Sequence, residues 1–318
     1  MNKQKIKLIP ALSGLLAVQL LLALVLGLSG HISGDGAQSP LISADIGTID
    51  KIRIEDGAGG VTILQKVDQQ WRIPDVSSFP ADDEKIRNLL DALSGLRTGW
   101  PAGTTDAAAK RFKVAADGFE RKLVLYKQDQ AVAQIYAGNA AAFKKTYVRL
   151  DGSDDIFVGE INAYELFARP DEWIEREILQ QDPAKIASIR LPGLSLQRDD
   201  QGLRISDLKA NQQTVTDQAE ALLGKIANLK IQEVLGTEAK PDFGQSQPTH
   251  SIGLTLKDGS TIEYTISQPK DKGYYVLKSS SRPEYFKVPT YTLDPIFDTK
   301  REQLVEAKPP QADANKAS

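Results

Sequence analysis

Hydrophobic positions along this chain follow three different periods, and each period predicts a different kind of element. The first is no period at all. Leu8 to Leu28 is an unbroken run of twenty-one uncharged residues rich in Leu, Ala and Val. At about 1.5 Å per residue it would span roughly 31 Å as a helix, the thickness of a bilayer's hydrocarbon core. A transmembrane helix over 8–28 is therefore predicted. A cleavable signal peptide is the rival reading, but its apolar region is typically only about 7–15 residues long.

The second and third periods alternate after a Gly-, Ser- and Pro-rich stretch, residues 29–44, which reads as a linker. Ile52 and Ile54, then Val61 and Ile63, then Trp71 and Ile73 alternate with polar neighbours around the turn Gly57-Ala58-Gly59-Gly60, predicting a three-strand meander. Asp82 is placed to cap a helix with Ile86, Leu89, Leu90, Leu93 and Leu96 on one face. A second helical piece near Asp106–Phe112 leads to strands at 122–126, 132–136, 146–150 and 156–158. A helical stretch from Asn162 to Ile178, broken at Pro170, is predicted to close the unit.

The same order then recurs. Ile189-Arg190-Leu191 follows Ile52-Arg53-Ile54 at an offset of 137, and Leu203-Arg204-Ile205 follows Trp71-Arg72-Ile73 at 132. Adding 133 to the helix positions 86, 89, 90, 93 and 96 gives Ala219, Leu222, Leu223, Ile226 and Leu229. Ile252, Leu254 and Asp258 lie 129 after Leu123, Leu125 and Asp129, Tyr275-Val276 lies 128 after Tyr147-Val148, and Phe286 lies 129 after Phe157. The offsets change where turns are expected, as they do when duplicated domains diverge through loop length. The expected fold class is α+β: an N-terminal transmembrane helix followed by two tandem, mutually similar domains of antiparallel strand meanders packed on helices. The divisions are a cytoplasmic 1–7, the helix 8–28, the linker 29–44, repeats at 45–180 and 181–306, and a disordered tail at 307–318.

Charge adds orientation. Lys3, Lys5 and Lys7 precede the apolar run, and the next Lys or Arg after it is Lys51. The positive-inside bias puts the N-terminus in the cytoplasm and the body in the periplasm of a bacterial inner membrane. Inside the run, Gln19, Ala23 and Gly27 share one helical face, a pattern that suits docking against another membrane helix. A single Gln in a Leu-rich span is also tolerated without a partner. The net charge of −3 with interspersed signs leaves no basic footprint for nucleic acid.

Candidate chemistry is thin. Cysteine is absent and there are two histidines, His31 and His250, with no metal-ligand spacing. Asp151-Gly152-Ser153-Asp154-Asp155 has the acidic density of a calcium loop but lacks its spacing and later glutamate, and reads as a turn. Asp82, Asp83 and Glu84 read as helix capping and dipole compensation. No catalytic residue, cofactor or metal site is expected. Core packing is the default for Trp71, Trp100 and Trp173; Trp100, in the loop Gly99-Trp100-Pro101-Ala102-Gly103, is the candidate surface contact, since an exposed aromatic there would be an interaction point.

The Trp71-Arg72-Ile73 strand, the Pro80-Ala81-Asp82 helix start, the Tyr136-Ala137-Gly138 turn before Tyr147-Val148 and the connector Trp173 to Asp182 resemble the family DUF4340. The resemblance covers about residues 45 to 300. It implies a single membrane helix with an extracytoplasmic body, and partners in the permease and ATPase subunits of a gliding-motility-type ABC-2 exporter. The function expected from it is that of a non-enzymatic accessory subunit. A free-standing module binding a polysaccharide or cell-wall ligand is the alternative.

Overall fold

The structure, a computed structural model, describes residues 16–21, 38–270 and 272–309. The expected spanning helix therefore lies largely outside the described residues. Of it, residues 16–21 are helical with outward-facing side chains, Leu16, Val18, Leu20 and Leu21 all being exposed. Among the described residues no helix is long and apolar enough to cross a membrane, so the predicted span has no support there.

Regular structure begins with a meander: β1 (Lys51–Asp56), β2 (Val61–Val67), β3 (Gln70–Ile73) and the two-residue β4 (Phe79–Pro80). Its alternation does what the sequence requires. Ile52 faces Leu64 and Ile54 faces Thr62 across the antiparallel pair, and all four side chains are buried. The first turn is tied by Asp56, whose Oδ1 accepts the N–H groups of Ala58 (2.9 Å) and Gly60 (2.8 Å). The second is the two-residue turn Asp68-Gln69, both at positive φ, which matches strand twist. Helix α1 (Asp83–Ser94) starts as expected, with Asp82 Oδ1 accepting the Lys85 N–H at 3.0 Å, and it buries Ile86, Leu89 and Leu93.

Next come α2 (Asp106–Phe112), capped by Thr105, and the short hairpin β5 (Val114–Ala115) and β6 (Gly118–Phe119). They are followed by β7 (Arg121–Lys127), β8 (Gln130–Ala142), β9 (Lys145–Leu150) and β10 (Ile156–Gly159). The second half contributes β11 (Ile186–Leu191), β12 (Leu194–Asp199), β13 (Gly202–Ile205), β14 (Gln212–Thr214), α3 (Thr216–Ala227) and β15 (Glu233–Gly236). It ends with β16 (His250–Leu256), β17 (Thr261–Ser267), β18 (Tyr274–Ser279), β19 (Tyr285–Pro289), α4 (Thr290–Phe297) and β20 (Val305–Ala307). The protein is thus a mixed α+β chain, mostly strand, with antiparallel sheets.

The chain divides into two compact units. The first is drawn from residues 1–49, 90–125 and 130–166. Its strands run in the order β10-β9-β8-β7. A core of Ala108, Ala109, Val114, Ala115, Tyr136 and Ile156 fills the space under α2, with Phe112 stacked on Tyr147 at 3.9 Å. Leu41 and Ile42, expected in the linker, are buried here, and the Leu41 N–H donates to the Leu96 carbonyl at 2.9 Å.

The second unit comprises residues 50–89, 126–129 and 167–318. It holds the meander β1 to β4 and a complete eight-stranded sheet ordered β13-β12-β11-β16-β17-β18-β19-β15. Phe79 of β4 meets Phe286 of β19 edge to face at 6.0 Å, and Arg282 lies over Phe79 while pairing with the buried Glu284. These contacts pack the front meander against the back sheet within this unit. β20 pairs with β14, so residues 305–307 are ordered, and the predicted tail beyond 309 lies outside the described residues.

The expected helix from Asn162 to Ile178 is not there. The chain makes two 3₁₀ turns, Ala163–Glu165 and Pro170–Glu172, then bridges Ile174 to Ala81 and makes a further turn at 176–179. Its backbone is engaged elsewhere: the Asp82 N–H donates to the Trp173 carbonyl (2.7 Å), and the Glu175 N–H to that of Pro80 (3.0 Å). Tyr264, fully buried, donates its hydroxyl to the Leu179 carbonyl at 3.2 Å. Long-range pairing outweighs local helical spacing in this segment.

Candidate functional site

The most exposed aromatic surface of the first unit surrounds its edge strand. β10 is paired on one side with β9, Phe157 opposite Val148 and Gly159 opposite Thr146. On its other side, among the described residues, one residue is covered: Ile156 donates to the Gly103 carbonyl (2.9 Å) and accepts from the Ala102 N–H (2.7 Å). Backbone groups in a strand alternate in direction. The N–H and C=O of Val158 therefore face the same outer side as those of Ile156, two residues further on.

There the chain stands away from the edge. Residues Gln38, Arg97, Thr98, Gly99, Trp100 and Lys145 border a cleft of about 410 Å³ against Phe157–Glu160. Trp100 is 82% exposed, and Val158 on the edge strand is 44% exposed. Pro101, which has no N–H, follows Trp100 in the loop segment that meets this edge. Lys145 pairs with Glu160 at 2.9 Å, both exposed, so the ion pair is worth at most about 1 kcal/mol. Phe143, at the tip of the β8–β9 hairpin, and Tyr164, after β10, are 88% and 75% exposed. Sequence reading missed both. The signal was present in Phe143, a large apolar residue in a two-residue hairpin turn where nothing can cover it.

The other candidate residues resolve individually. Gln19 is helical and exposed, while Ala23, Gly27, Lys3, Lys5, Lys7 and His31 lie outside the described residues. Trp71 and Trp173 are buried, and Trp173 donates its Nε1–H to the Phe167 carbonyl at 2.8 Å. Asp151 accepts from the Tyr136 hydroxyl (3.2 Å) and begins a turn with Gly152 at positive φ; burial first, then Asp151, raises the Tyr136 pKa. Among the described residues no group of three or more His, Asp or Glu side chains is placed to hold a metal.

His250 has a packing role. Its ring stacks on Phe297 at 3.8 Å and meets Tyr275 edge-on at 6.0 Å. Burial lowers its pKa, against an opposing pull from Asp294. The Tyr275 hydroxyl donates to Asp294 Oδ1 at 2.8 Å, and burial with that carboxylate pushes the phenol up to about 12.

Fold and surface together define the class: a strand-rich α+β protein with antiparallel sheets and exposed aromatics beside an open strand edge. Residues 71–248, more than half the chain, match the model of the domain of unknown function DUF4340, and the chain belongs to that family. No curated protein and no solved structure matches it.

Proposed function

We propose that this protein is a non-enzymatic accessory subunit, anchored in the bacterial inner membrane through residues 8–28, whose periplasmic body acts by protein–protein contact with an ABC-2 exporter of the gliding-motility type. The observation that carries the contact role is the aromatic surface of the first unit, with Trp100 at 82% exposure beside a strand edge left open among the described residues. Large exposed aromatics are enriched where proteins bind partners. The anchor rests on the uncharged run Leu8–Leu28, the orientation on Lys3, Lys5 and Lys7, and the exporter on the family's implied association. Gln19, Ala23 and Gly27 are the proposed helix-docking face.

The body is read as two tandem copies of one fold. Support comes from strand order: β1-β2-β3 corresponds to β11-β12-β13, and β10-β9-β8-β7 to β19-β18-β17-β16. Pairing registers support it more finely. Ile135↔Leu150, Ala137↔Val148, Phe157↔Val148 and Gly159↔Thr146 become Tyr264↔Ser279, Ile266↔Leu277, Phe286↔Leu277 and Val288↔Tyr275 on adding 129 throughout. The register therefore aligns Val148 with Leu277, one residue beyond the Val276 that sequence matching selected. The test of the accessory role is detergent pull-down of the tagged full chain. An ATPase and a multi-span permease should co-purify, and repeated recovery of the chain alone would overturn the reading.

A further inference from the structure

The two copies differ at one edge. In the second, β19 is covered on its outer side by β15: Gly236 pairs with Tyr285, Val234 with Phe286 and Glu233 with Lys287. The Gln232 N–H then donates to the Lys287 carbonyl at 2.8 Å, and the Lys287 ammonium pairs with Glu233 at 3.2 Å. In the first copy the covering begins in the same way, with Gly103 opposite Ile156, the counterpart of Tyr285. It stops after Ala102. At Val158, the counterpart of Lys287, no strand continues among the described residues. Counting back from Gly236 and from Gly103, Trp100-Pro101 stand where Glu233-Val234 stand. Proline cannot donate to a ladder, and the cleft of about 410 Å³ separates the loop from the edge.

We propose that the outer edge of β10 at Phe157–Glu160 is a docking site for an extended segment of a partner protein, which adds the strand that β15 supplies in the second copy. The inference rests on the tandem-copy reading and deepens the contact role. What specifies the occupant is the counterpart edge, which is occupied by an extended backbone, Gln232–Gly236, held by main-chain hydrogen bonds. Strand addition of this kind takes affinity from the backbone and specificity from side-chain pockets. Here the pocket wall is Trp100, and the Val158 N–H and C=O are the ladder groups without a partner among the described residues.

The test uses the purified full chain in detergent and a labelled, end-capped peptide of the sequence Lys230–Thr237, the β15 strand with its flanks, followed by fluorescence anisotropy. Saturable binding is expected. Val158→Pro, which removes the outward N–H and leaves the β9 pairing intact, should weaken it at least tenfold with an unchanged thermal midpoint. Trp100→Ala, at an exposed position, should weaken it as well. Methylating the backbone nitrogens of Gln232 and Val234 in the peptide should abolish it. Absence of binding to the wild-type chain, or equal binding by Val158→Pro or by the methylated peptide, would overturn the edge site. So would a full chain that is dimeric and becomes monomeric with Val158→Pro, since the edge would then belong to a second copy. Any of these failures leaves the accessory-subunit reading to its own co-purification test.

Discussion

Gly138 lies in β8 where the end of α2 crosses over it, and a methyl group there has nowhere to go. A Cβ at this position would overlap the Phe112 carbonyl oxygen outright and lie 2.8 Å from that of Lys113. Both obstacles are backbone, and the segment cannot move freely. Phe112 is stacked on Tyr147 at 3.9 Å, Arg149 Nε donates to the Val114 carbonyl at 2.8 Å, and Asn139 Nδ2 donates to Arg111 at 3.2 Å. Overpacking in a fixed environment costs about 1–3 kcal/mol, and Gly138→Ala should reach the upper end, about 3 kcal/mol. At about 2–4 °C per kcal/mol for a domain of this size class, the thermal midpoint should fall by about 6–12 °C. Scanning calorimetry of the full chain measures it. Gly224→Ala is the matched control, on helix α3 with nothing beyond its own helix backbone and chain neighbours within 4 Å of the added Cβ, and it should raise stability by about 0.5–1 kcal/mol. A midpoint within 2 °C of wild type for Gly138→Ala would refute the close crossing of α2 over β8 (about 1 kcal/mol or less).

The remaining expectations concern the second unit. His250 has its pKa lowered by burial, so the unfolded chain takes up the proton first as pH falls below the ordinary value of 6.5. Its contribution to stability is present above that pH and lost on acidification, and His250→Asn should flatten the decline in midpoint between pH 7 and pH 5. Tyr264→Phe leaves the buried Leu179 carbonyl without its donor and should cost about 1–3 kcal/mol in chemical denaturation. The Tyr264 phenol is pushed up to about 12 by burial, so it stabilises the fold below pH 10, and that contribution is lost as pH rises toward 12. Leu222→Ala on the buried face of α3 should cost about 2–5 kcal/mol, measured the same way.

Local pattern was legible where packing is one-sided. Of the predicted face, Ile86, Leu89, Leu93 and Leu96 are buried and Leu90 is half-buried, and the five positions 133 further on, Ala219, Leu222, Leu223, Ile226 and Leu229, are all buried, because a helical period of apolar residues has a single way to reach a core. Tyr275 is buried and its neighbour Tyr274 half-buried, as adjacent side chains of a strand point to opposite faces. What the sequence did not reveal was decided at long range. The connector after Pro170 has helical spacing yet forms no more than single turns, because the backbone groups of Trp173 and Glu175 are bonded to Asp82 and Pro80. β15 and β20 are short strands recruited by a partner far along the chain, Glu233 by Lys287 and Val305 by Thr214, and neither carries an alternation long enough to see. The candidate surface was legible only through Trp100. The open edge beside it became visible through the contrast with β15.

The claim that the body works by contact at this edge is tested most directly by quantitative mass spectrometry of detergent pull-downs with the wild-type chain and with Val158→Pro. Transporter subunits should accompany the wild type and fall at least tenfold with the variant, at equal midpoint and equal bait recovery. The same subunits retained in the same amount by both chains would contradict it.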